Sequence, residues 1–147
     1  MIPSVERDRL AVVARYDSRG GIEIEGASGD LQRLSDILVS ADLESVFRLT
    51  IPESGDAAPY DGFLSSICVL KRGEKARIAR RGDSIRVEGS EAALGLLSQS
   101  IKFLADKADD AAGPVPLHMH EEPYDGHPYM ELDSEPLIVA LRRQNEG

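Results

Sequence analysis

The chain has 147 residues, 41% hydrophobic, 29% charged and 5% aromatic, which supplies the apolar surface of one small globular domain and excludes a wholly disordered chain. Asp plus Glu number 26 against 17 Lys plus Arg, a formal net charge of -9 that repels phosphate backbones and anionic headgroups, so neither nucleic acid nor membrane is the expected partner. The single cysteine, Cys68, rules out an internal disulfide and a multi-thiolate metal site; with no apolar run of membrane-spanning length and charged Glu6, Arg7, Asp8 and Arg9 near the start, the expected location is the cytoplasm.

In chain order, Leu10 to Tyr16 predicts a strand and Asp17 to Gly21 a turn. Gly21 to Gly26 then alternates Ile22 and Ile24 with Glu23 and Glu25, completing a hairpin. A helix starting near Ser28 or Asp30, both competent caps, aligns Leu31, Leu34, Leu38 and Ala41 on one stripe. Val46 to Ile51 and Leu64 to Leu70 follow as strands around a Pro and Gly loop. A second series begins with a hairpin, Ala76 to Arg80 and Ser84 to Glu88. Ser90 then caps a longer helix with Leu94, Leu97, Ile101, Leu104 and Ala108 on its stripe. Ala108 to Pro116 is a loop, and Leu117 to Glu121 and Leu137 to Leu141 are the late strands.

The two series match at a fixed offset. Ile22-Glu23-Ile24-Glu25-Gly26 precedes Leu31, Leu34, Ser35 and Leu38; Ile85-Arg86-Val87-Glu88-Gly89 precedes Leu94, Leu97, Ser98 and Ile101, 63 residues later throughout. Pro59-Tyr60-Asp61-Gly62 recurs as Pro123-Tyr124-Asp125-Gly126, 64 residues later. Collinear matches point to an internal β-β-α-β-β duplication, with pseudo-repeats over residues 10–70 and 75–142 of one α+β domain spanning 1–147. Hairpins and amphipathic helices together predict a mainly antiparallel sheet with two helices on one face, the other face being left for solvent or a partner.

All three histidines, His118, His120 and His127, fall within ten residues. Residues two apart in a strand share a face, so His118, His120 and Glu122 oppose Leu117, Met119 and Glu121. Two such imidazoles with His127 or a carboxylate would satisfy a catalytic zinc site, the chemistry of a metal-dependent hydrolase; a solvated strand followed by a histidine in a loop is the simpler reading. No phosphate-binding glycine loop, dinucleotide turn or GxSxG elbow is present, and Cys68 within Ile67-Cys68-Val69 reads as a buried, inert thiol. The basic run Lys71 to Arg86 reads as a charged hairpin that resists edge pairing. His118 to Pro136 carries Glu121, Glu122, Asp125, Glu131, Asp133 and Glu135 with no Lys or Arg, interleaved with Tyr124 and Tyr129, a composition suited to recognising a basic partner.

The stretch His118-Met119-His120-Glu121-Glu122-Pro123-Tyr124-Asp125-Gly126-His127-Pro128-Tyr129, followed by Ser134-Glu135-Pro136-Leu137, resembles the C-terminal signature of the immunity protein 32 family of bacterial polymorphic toxin systems. That signature runs His-x-His-x-Glu, an aromatic, Gly-His-Pro and a Ser-x-Pro-Leu strand; the resemblance is confined to the C-terminal end of the chain. It implies a non-enzymatic cytoplasmic protein, without a cofactor, that neutralises a cognate protein toxin; the resemblance does not supply the toxin class, and it is the acidic charge that suits a basic toxin such as a nuclease. The expected contact residues are His118, His120, Glu122, Tyr124, Asp125, His127, Tyr129, Glu131 and Asp133. The competing expectations are the metal-dependent enzyme using His118, His120 and His127, and a homodimer formed through the open sheet face.

Overall fold

The computed structural model describes residues 9–40, 44–52, 57–107 and 117–142. The stripe positions Ala41 and Ala108 and the loop from Ala108 to Pro116 lie outside them. In order, the elements are β1 (Arg9–Leu10), β2 (Val13–Tyr16), β3 (Ile22–Gly26), α1 (Ser28–Ser40), β4 (Glu44–Leu49), β5 (Gly62–Leu64), β6 (Ser66–Lys71), β7 (Arg77–Arg81), β8 (Ser84–Gly89), α2 (Glu91–Ala105), β9 (Leu117–Glu121) and β10 (Leu137–Leu141). The fold is α+β, and its pairs are antiparallel more often than parallel, five to three among the described strands.

The strands divide between two mixed five-stranded sheets, of order β1-β4-β6-β8-β7 and β5-β2-β3-β10-β9. The division follows from which partner each hairpin finds. The β2–β3 hairpin adds in parallel to β10, with Ile22 opposite Leu137, and the β7–β8 hairpin adds in parallel to β6, with Ile85 opposite Ile67. Each sheet thus joins the hairpin of one half to late strands of the other, with β5 added to β2 of its own half, and Ile22 and Ile85 stand on corresponding strands.

The same correspondence runs through the core. Leu31, Leu34 and Leu38 of α1 and Leu94, Leu97 and Ile101 of α2 are all buried, and the helices pack closely on each other, so both apolar stripes are removed from water between helix and sheet. At the crossing, Ser35 Oγ donates to the Ser98 carbonyl at 2.9 Å and Ser98 Oγ donates to the Ser35 carbonyl at 2.8 Å, a reciprocal buried pair at the 63-residue offset. The glycines that close β3 and β8 are required for close approach: a Cβ on Gly26 would come 2.9 Å from Val12 Cγ1, and one on Gly89 would come 3.0 Å from Ala76 Cα.

The helix starts differ from expectation at one end. Ser90 caps α2, its hydroxyl accepting the Ala93 N–H at 3.1 Å. Ser28 lies inside α1, and its hydroxyl donates instead to the Ala105 carbonyl at the end of α2. Leu10 to Tyr16 is two short strands in different sheets, and Leu64 to Leu70 is likewise divided at Ser65 between β5 and β6. Cys68 is half-buried on the face of its sheet away from the helices; burial, then the charge of Glu44, raises its thiol pKa.

Candidate functional site

Strand β9 is amphipathic as its alternation dictates. Leu117 and Met119 pack on the core, while His118 and His120 stand exposed with ring centroids 4.9 Å apart. Glu121 ends the strand on the inner side and Glu122 is exposed. Beyond it the chain turns at Gly126, whose φ of 87° lies in the left-handed region that glycine enters without strain.

His127 holds this turn from inside. It is 5% exposed, and its Nδ1 accepts two backbone N–H groups, those of Tyr129 and Met130, both at 3.1 Å. Nδ1 is thus used as an acceptor, and Nε2, the nitrogen left to donate, faces the Glu121 carboxylate at 3.5 Å. The ring lies between Tyr124 and Tyr129, each with its centroid 4.7 Å away, and Lys75 Nζ donates to the His127 carbonyl at 2.7 Å. Both ring nitrogens are therefore engaged, and His127 has neither a lone pair to offer a metal nor one to act as a base.

The three histidines do not converge, and among the described residues no group of three or more His, Cys, Asp and Glu side chains is placed to hold a metal ion. This corrects the reading in which His118, His120 and His127 form one ligand set. Two neighbouring imidazoles at an exposed strand fall short of the three protein ligands that a catalytic zinc site uses.

Past the turn, the chain runs beside β7 and covers its edge. The Ala76 N–H donates to the Tyr129 carbonyl at 2.7 Å, the Glu131 N–H to Ala76 at 2.8 Å and the Glu135 N–H to Ile78 at 2.8 Å. Ser134 is buried, its Oγ accepting the Ile78 N–H at 2.9 Å, and the Glu135 carboxylate accepts the Gly21 N–H at 2.7 Å. Of the acidic residues counted in the sequence, Glu121 and Glu135 thus have structural work, and Asp133 pairs with Arg77 Nε at 3.0 Å. Asp125 and Glu122 are exposed and Glu131 is half-buried.

The expected contact residues sort accordingly. His118, His120, Glu122, Tyr124 (55% exposed) and Asp125 form an exposed rim, joined by Glu131 and by Asp133 in its ion pair. His127 and Tyr129 do not belong to it: they shape the loop from beneath. The Tyr129 hydroxyl is buried without a hydrogen-bond partner among the described residues, and its pKa is raised, first by burial and then by Glu121, against an opposing contribution from Ser100 of α2.

Ser100 marks what the sequence reading missed. Leu96 and Phe103 flank it on the outer side of α2 and are 43% and 66% exposed, and Leu132 in the loop is 63% exposed. Leu96 and Phe103, seven apart, repeat on the helix face opposite the buried stripe, a spacing visible in sequence once the core stripe is fixed. A cleft of about 270 Å³ also opens beside Glu122, lined by Asp17, Gly20, Gly21, Tyr60 and Ile138. The hydrogen bond from Arg19 holds the Asp17 carboxyl below its ordinary pKa. No helix among the described residues is long and apolar enough to cross a membrane. No family model matches the chain, and no curated protein matches it significantly.

Proposed function

We propose that the protein is a non-enzymatic cytoplasmic immunity protein that binds a cognate bacterial toxin and occludes a basic surface of it, the toxin being of a class, such as a nuclease, that holds a polyanionic substrate. The observation that carries the reading is the loop held by His127: a buried imidazole takes up two backbone N–H groups and leaves Tyr124 standing outward among Glu122 and Asp125. Such an aromatic residue in an acidic rim is pre-organised, so binding orders little and contact area is gained at low entropy cost. The residues of the family-like signature divide into those that build this loop, His127 and Ser134, and those it presents, His118, His120, Glu122 and Tyr124.

The mechanism is occlusion without turnover. The carboxylates of the rim steer a cationic partner and speed encounter, and the aromatic side chain, once desolvated, slows departure. Co-expression with a toxin encoded in the adjacent reading frame, which this reading requires, tests it: the wild type restores growth, and Tyr124→Ala in a folded protein loses protection. A wild type that neither binds that toxin nor protects against it refutes the immunity reading, and protection that survives replacement of the whole rim places the interface elsewhere.

A further inference from the structure

The sheet β1-β4-β6-β8-β7 turns Ile67, Val69, Ile85, Val87 and Ile78 toward the helices. Its other face is uncovered among the described residues, and the strand register sorts its side chains into rows. One row crosses all five strands as Arg9, Arg48, Ser66, Ser84 and Arg81. The next, two residues along, is Val46, Cys68, Arg86 and Ala79.

The first row is cationic. Arg9, Arg48 and Arg81 are exposed, and none has a carboxylate within ion-pair distance among the described residues. Arg9 and Arg48 stand directly opposite one another, a like-charge pairing that costs stability unless an anion relieves it. Arg86 adds a fourth guanidinium whose buried Nε has no hydrogen-bond partner and lies 3.8 Å from Glu88 Oε1. The acids nearby are Glu44 and Glu88 in the following row, Glu88 being paired with Arg72, Arg77 and Arg86, and Asp83 in the β7–β8 turn, whose carboxylate accepts the Ser65 hydroxyl at 2.8 Å; none of them pairs with an arginine of the first row. In a chain of net charge -9, this concentration of arginine contrasts with Glu122 and Asp125 beyond β9 of the other sheet, and Asp133 of the acidic rim reaches this sheet at Arg77 rather than at the first row.

We propose that this face is a second docking surface, for a short acidic and amphipathic segment of a protein partner. Carboxylates match the fork of arginine guanidinium groups. At ~4.8 Å between strands the row extends for roughly 19 Å, and an extended segment with a carboxylate at every second residue, about 7 Å apart, meets both ends of it within about six residues. Lying edge-on between the two rows, such a segment turns its carboxylates toward the first row and its intervening side chains toward the second, where Val46, 53% exposed, with Cys68 and Ala79, offers apolar contact. A nucleic acid fits less well, because no aromatic ring projects from these two rows to stack on a base, and a long polyanion would overhang onto an acidic protein.

The test uses the full chain and a fluorescein-labelled peptide in which glutamate alternates with leucine, read by anisotropy, with single-stranded RNA of equal charge as the second probe. Saturable, salt-sensitive binding of the peptide is expected, weakened at least about tenfold by Arg48→Glu combined with Arg81→Glu, severalfold by Val46→Ser and not at all by Glu122→Gln. Circular dichroism and a melting temperature no lower than that of wild type establish that the exposed variants remain folded. Absence of peptide binding, equal binding by the double variant, or tighter binding of the RNA overturns the proposal. So does self-association that Arg48→Glu abolishes, which makes a second copy the occupant.

Discussion

Replacing His127 by Ala removes the acceptor of two backbone N–H groups in one step. The Met130 amide is buried, the Tyr129 amide is part-buried, and each donates to Nδ1 at 3.1 Å. An amide left without an acceptor costs ~1–3 kcal/mol, and water admitted to the space of the lost ring recovers part of it, so a loss of ~2–4 kcal/mol in unfolding free energy is expected. His127→Asn separates the hydrogen bonds from the packing. Its carbonyl oxygen takes the place of Nδ1 as acceptor, so it loses clearly less than Ala even though the ring between Tyr124 and Tyr129 is gone. Urea unfolding at neutral pH measures both losses, and hydrogen exchange at the Tyr129 and Met130 amides locates them. An Ala variant within ~0.5 kcal/mol of wild type, or an Asn variant no better than Ala, refutes the anchoring role.

At the helix crossing, Ser35→Ala and Ser98→Ala are each expected to cost ~0.5–1.5 kcal/mol, with the double variant departing from their sum by at least ~0.5 kcal/mol, because the two hydroxyls lie 2.6 Å apart and each reaches the other residue's carbonyl. Simple additivity in denaturant unfolding contradicts the reciprocal pair. Glu88 gives a pH dependence. The Arg72 hydrogen bond at 2.8 Å, and then the charges of Arg72, Arg86 and Arg77, hold its carboxyl below its ordinary pKa against an opposing effect of burial. The unfolded chain therefore takes up this proton more readily, so the stabilisation is present above the ordinary carboxylate range and is lost as pH falls through the lower, folded value. Glu88→Gln should lower the melting temperature at neutral pH and converge on wild type in acid; a gap that is constant across pH speaks against the ion pairing.

Local elements were legible because short-range periodicity sets them. Leu31, Leu34 and Leu38 could face one way only on a helix, and the Ser90 cap precedes the first turn of α2 by chemistry written in adjacent residues. The partition into two sheets was not. Ile22 and Ile85 carry the same alternation whether their hairpins pair within their own half or across to Leu137 and Ile67, and only the packed chain chooses between these. At the candidate site, the outward pair His118 and His120 followed from residues two apart on a strand. His127 did not, because an imidazole in a turn reads alike as ligand, base or acceptor until the Tyr129 and Met130 amides are seen to point at it. Counting carboxylates likewise overstated the free acidic surface, since Glu121 and Glu135 face partners 3.5 Å and 2.7 Å away within the fold.

If a toxin is encoded beside the protein, as the proposed function requires, the affinity of the purified protein for it, measured for wild type and Tyr124→Ala, tests the acidic rim most directly. Tyr124 is 55% exposed and makes no hydrogen bond through its side chain among the described residues, so its truncation leaves the fold standing. If it anchors the partner, the variant binds more weakly by at least ~2 kcal/mol, roughly thirtyfold in Kd, with an unchanged melting temperature. Wild-type affinity in the Tyr124→Ala variant would contradict the account.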